Sequence, residues 1–141
     1  MHVRLIAILL LSLLASFGVA QERYAVGTAV QITELELAAT IASDFRPIVP
    51  TTLFKPADTV YLVVTTFGPV EGEPGSLGVA WRYGAEQYQQ AVHSEGKELI
   101  FSGPGTTVFE VSKPDGWPTG DYSVEVFLNG KATKKLSYSV Q

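Results

Sequence analysis

The sequence predicts an all-β fold, an antiparallel sandwich of about seven to eight short strands. Three observations carry this. Large apolar residues alternate with small or polar ones at period two through most of the chain, the pattern of half-buried strands. Gly, Pro and Asn punctuate that pattern at short intervals, as turns between strands do. No segment combines helical periodicity with a clean cap. The sequence has no cysteine, so no disulfide is available and stability must come from apolar burial.

In chain order, residues 1–20 come first and read as a secretory signal peptide. Arg4 gives a basic start, residues 5–14 (LIAILLLSLL) are apolar, and Gly18, Val19 and Ala20 lead to a cleavage site after Ala20. The alternative is an uncleaved anchor. The strongly apolar run is about half of the ~20 residues a spanning helix needs, and Ser16 and Gly18 weaken its continuation. A lipid anchor would need a cysteine at the junction, and there is none. The expectation is therefore an exported protein, periplasmic or extracellular, with no membrane insertion after cleavage.

Residues 21–33 read as a flexible N-terminal segment and residues 34–141 as one sandwich. In residues 34–41, Leu35, Leu37, Ala39 and Ile41 alternate as in a strand, although Ala, Leu and Glu also suit a helix. Pro56, Ala57 and Asp58 make a turn before residues 59–67, which are apolar on both faces and suit a central strand. Residues 69–76 (PVEGEPGS) read as a mobile acidic loop. In residues 77–83, Leu77, Val79, Trp81 and Tyr83 point one way and Gly78, Ala80 and Arg82 the other. Residues 88–93 suit an edge strand. Residues 98–101 and 106–111 suit two short strands joined by Gly103, Pro104 and Gly105. Residues 122–128 alternate strictly into Asn129-Gly130, the dipeptide favoured in type I′ hairpins because both residues tolerate positive φ. The return strand, residues 133–140, turns Leu136, Tyr138 and Val140 inward. Its Lys134 and Lys135 blunt edge pairing. No segment is expected to follow it.

With Trp81 on one strand and Trp117, Gly120, Tyr122 and Val124 leading into a later one, the chain resembles the immunoglobulin-like modules of bacterial exported proteins. The resemblance covers roughly residues 34–141 as an architecture. It implies that Trp81 packs in the core and that Tyr122 forms a tyrosine corner. Val124 would stand where the second cysteine of such domains lies, and Leu62 or Val63 where the first lies. It implies no activity, because this sandwich hosts many.

Composition and motifs exclude more than they identify. The net charge is −4, to which the leader's Arg4 contributes +1, so the remainder carries −5. An acidic chain does not attract phosphate backbones, and no nucleic-acid partner is expected. His93 is the only histidine after the leader. Ser94 beside it points to the other face of a strand, so the two do not make a catalytic pair. No catalytic residue, cofactor or metal is assigned, and the protein is not expected to be an enzyme. Of the carboxylates, Glu34 and Glu36 would share a strand face. Glu71 and Glu73 are the first suspects for calcium, but the Asp/Asn alternation of a dedicated loop is missing. Asp115 and Asp121 flank Trp117, whose indole is expected to cap the sandwich over Tyr122. Gly103, Pro104 and Gly105 lack the Lys and helix of a phosphate loop.

By elimination, the sequence reads as a non-catalytic protein-interaction or accessory module that serves an envelope or secreted protein. The alternative is a carbohydrate-binding module that stacks sugars on Trp117, Tyr83 and Tyr88.

Overall fold

The computed structural model describes residues 29–141, so the predicted leader and residues 21–28 lie outside it. Among the described residues there are six strands: β1 (Gln31–Ala38), β2 (Leu53–Phe54), β3 (Val60–Tyr83), β4 (Gln90–Val111), β5 (Gly120–Leu128) and β6 (Lys131–Val140). No helix among these residues is long and apolar enough to cross a membrane.

The long hairpin of β3 and β4 organises the fold. Residues 60–68 of β3 pair antiparallel with β1 and with residues 103–111 of β4. Past a break in register, residues 73–83 pair with residues 90–101 of β4 and with β5. Beyond β5 come β6 and then β2, which lies parallel to β6. Both long strands therefore belong to two layers. The core lies between those layers, where Val60, Leu62 and Val64 from the first half of β3 meet Leu77, Val79 and Trp81 from the second. Phe109, Val124 and Val126 close it.

This continuity corrects two sequence expectations. Residues 69–76 are not a loop, because residues 73–76 pair with residues 98–101 of β4. The irregularity is confined to residues 69–72, where Gly72 takes φ +88° and the Ser102 hydroxyl donates to the Val70 carbonyl at 2.9 Å. Gly103, Pro104 and Gly105 do not join two strands but lie within β4, opposite Gly68, Phe67 and Thr66. Pro104 is tolerated because, among the described residues, β4 has no neighbour on its outer edge, so a missing N–H there costs no ladder bond.

Smaller boundaries shift as well. The segment expected over residues 34–41 is a strand, which begins at Gln31 and ends at Ala38. Ile41 keeps only an isolated bridge to Pro47. Tyr88 closes a 3₁₀ turn (Glu86–Tyr88), and β4 starts at Gln90. The C-terminal hairpin is as expected: Asn129 and Gly130 both take positive φ, at 52° and 79°. Tyr138 and Val140 are buried and Leu136 is half-buried.

Candidate functional site

Tyr122 anchors one end of the sandwich. Its hydroxyl donates to the Pro118 carbonyl at 2.7 Å, four residues upstream, which is the tyrosine corner that the resemblance implies. Trp117 packs edge-on against it, with ring centroids 5.9 Å apart and planes at 77°. The indole Nε1 donates to the Asp58 carbonyl at 3.0 Å, which ties this end to the turn before β3. Tyr122 also stacks on Tyr138 at 5.2 Å. Tyr138 in turn meets Phe54 and Trp81 edge-on. Trp81 and Val124 are fully buried opposite each other, and Leu62 rather than Val63 lies in the shared core.

This packing corrects the carbohydrate expectation for two of its three residues. Trp117 is only 7% exposed. Tyr83 is tilted against Tyr122 at 4.7 Å and donates its hydroxyl to the Thr119 carbonyl. Tyr88 alone presents an open ring, at 82% exposure. The three rings do not form a coplanar platform, because Tyr122 holds the first two by their edges and faces.

Burial raises the phenol pKa of Tyr138, and the neighbouring Tyr122 raises it further. The Tyr122 phenol is raised by burial and then by Tyr83. Both groups bind their protons more tightly folded than unfolded, so their contribution is intact below the unfolded pKa of about 10 and is lost from there upward, as pH rises through the raised folded values. Urea midpoints should therefore fall progressively above about pH 10, and a Tyr138→Phe variant should show a shallower fall.

The aromatic end opens sideways into a cleft of about 660 Å³, lined by Tyr83, His93, Glu110, Lys113, Trp117 and Tyr122. Among the described residues β4 is an edge strand in both layers, and no other strand closes the gap between its two halves. On that flank the positions of β4 opposite Trp81, Val79 and Leu77 are His93, Glu95 and Lys97. Directly opposed residues share a face, so these charged groups occupy inward positions. His93 Nε2 lies 3.5 Å from Glu95 Oε2. Lys97 Nζ donates to the Val108 carbonyl at 2.7 Å and sits 4.9 Å from the Phe109 ring centroid.

The remaining candidates are scattered. Ser94 faces away from His93, opposite Ala80 on the outer face. Glu71 and Glu73 sit at the irregularity in β3, and Glu34 and Glu36 lie on β1 opposite Thr65 and Val63. Asp115 and Asp121 are exposed beside the aromatic end. Among the described residues, no three His, Asp or Glu side chains cluster as metal ligands do.

One feature escaped the sequence reading altogether. Residues 39–50 form an irregular hairpin between β1 and β2, bridged at Ala38–Pro50 and Ile41–Pro47. Its tip exposes Phe45, Ile48 and Val49, each more than half open to solvent, and Leu53 continues the patch at the start of β2. Phe45 sits at φ +68°, a left-handed conformation that costs a bulky side chain roughly 1–2 kcal/mol. The Phe45 and Ala42 amides close the turn. Asp44 pairs with Arg46 at 2.6 Å, and its carboxyl is held below the usual range chiefly by the Arg46 backbone N–H. The signal in the sequence is four large apolar residues among prolines with no period, which neither strand nor helix templates detect.

No protein-family model and no curated protein sequence matches the chain. Solved structures do. The alkylpurine DNA glycosylase of Pseudomonas fluorescens, bound to DNA containing an abasic site analog, aligns with TM-score 0.55 at 12% identity, over 84% of this chain and 32% of that one. An immunoglobulin-like protein from Pseudomonas aeruginosa aligns with TM-score 0.48 at 17% identity, over 82% of this chain and all of that one. The β-glucosidase of Listeria innocua, in complex with glucose, aligns with TM-score 0.48 at 11% identity, over 76% of this chain but only 16% of its own. The chain thus spans a minor part of the glycosylase and of the glucosidase. What it shares with such proteins is the fold alone, a β-sandwich that resembles the immunoglobulin-like one, and this chain builds it without cysteine.

Proposed function

We propose that this protein is a non-catalytic, exported accessory module that works by contact with an envelope or secreted protein, in the periplasm or outside the cell. The observation that carries the reading is the hairpin tip, where Phe45, Ile48 and Val49 stay exposed and Phe45 occupies a conformation that glycine or asparagine would take at less cost. Folding gains little from an exposed aromatic in a strained turn, whereas a partner gains a rigid apolar anchor. The predicted leader supports export. A carbohydrate-binding role keeps only the Tyr88 ring, and we do not propose it.

The test is in-cell crosslinking of protein tagged behind a flexible spacer after Gln141, with Phe45→Gly in parallel. Phe45→Gly relieves the backbone, gives up part of one side chain's burial and loosens the unfolded chain, so its stability should stay within about 1 kcal/mol of the parent. Capture of the partner should drop severalfold. Equal capture by the folded variant would remove the hairpin from the interface. Recovery of no envelope or secreted protein would remove the function.

A further inference from the structure

The free edges of the sheet differ sharply in what they permit. β2 is two residues long. β1 carries a bulge between Ile32 and Glu34. On β6, residues 131–137 lie beyond the contact with β2 and present Lys131, Lys134 and Lys135, so self-pairing there would bring like charges together. On β4, residues 103–111 include Gly103 at φ +57° and Pro104, and the Val108 carbonyl is already occupied by Lys97. Residues 93–101 of β4 have none of these blocks. Their register with β3 is unbroken, they contain no proline or positive φ, and among the described residues no strand lies on their outer side.

We propose that this edge pairs with a second copy of the same chain, antiparallel about Gly96. With Gly96 opposite its own counterpart, Glu95 of each copy faces Lys97 of the other, twice across the axis, and Ser94 faces Glu98. His93 meets Leu99. Glu95 and Lys97 share one face of the strand, so both cross-strand pairs form on the same side. Glycine at the centre leaves the closest approach unobstructed. The isologous arrangement joins the larger layers of two sandwiches into one continuous sheet.

Protein expressed from the full coding sequence should sediment as a monomer–dimer equilibrium. Lys97→Glu and Glu95→Lys each set like charges together and should weaken the dimer at least tenfold. Mixed in equal amounts, the two variants should form a heterodimer. Because the chain has no cysteine, Gly96→Cys places a unique thiol opposite itself. A Cβ there meets nothing closer than the Leu77 carbonyl at 3.9 Å, and directly opposed strand residues are spaced to allow a disulfide. Mild oxidation should link Gly96→Cys dimers. It should not link Ser94→Cys dimers, whose thiols lie about 13 Å apart in this register. A monomer at every concentration, a dimer indifferent to both charge reversals, or equal crosslinking of the two cysteine variants would each overturn the proposal.

Discussion

Replacing Trp117 by alanine is expected to lower folding stability by about 3–5 kcal/mol, the range for removing a buried tryptophan. The residue follows Pro114, Asp115 and Gly116 and precedes Pro118, a setting that ordinarily leaves a side chain at the surface. Here the indole is buried edge-on against Tyr122 and bonded to the Asp58 carbonyl, while its own amide donates to the Pro56 carbonyl at 2.8 Å. One side chain thus joins the turn before β3 to the turn before β5. Removing it empties the end of the core and leaves the Asp58 carbonyl without its donor, so transfer and cavity costs add. Urea denaturation followed by the fluorescence of Trp81 would measure the loss. A change below about 0.5 kcal/mol, the scale of an ordinary surface substitution, would mean that the indole is not a packing residue and return it to the list of ligand-binding rings.

The parts of this fold that the sequence reveals are those decided locally. The hairpin of β5 and β6 is legible because strict alternation runs into Asn129-Gly130 and out again, so strand, turn and inward face agree. Residues 77–83 are legible for the same reason. The tyrosine corner is legible from the position of Tyr122 after Gly120 and Asp121, but only through resemblance to a known architecture. What is not legible depends on partners distant in sequence. Glycine and proline in residues 69–76 and 103–105 read as breaks, yet residues 73–76 and 103–105 find their pairing across the long hairpin. The cleft could not be foreseen for the same reason. It arises because one strand serves both layers and has no outer neighbour among the described residues, which turns His93, Glu95 and Lys97 into inward-facing residues at an open flank. The exposed hairpin of residues 39–50 has no period at all, and only its geometry sets Phe45 apart.

A single methyl group tests that long hairpin most directly. Gly68→Ala should destabilise the protein by about 1–3 kcal/mol or more, the usual cost of overpacking. A Cβ at Gly68 would lie 2.8 Å from the carbonyl carbon, the carbonyl oxygen and the Cβ of Phe101. Two of those atoms are backbone and none belongs to a flexible side-chain end, so rotation cannot relieve the clash. Phe101 is itself buried in the core, and β3 and β4 could make room only by separating where they pass from one layer to the other. Gly68 has no left-handed φ, so the loss would report contact rather than backbone strain. Gly96→Ala supplies the contrast on the same pair of strands. Its Cβ meets only an ordinary contact, and replacing glycine in an extended strand should be neutral or stabilising by up to about 1 kcal/mol. Should the two variants unfold at the same urea concentration, β3 and β4 would not approach closely at Gly68, and residues 69–76 would be free to behave as the loop that their composition suggests.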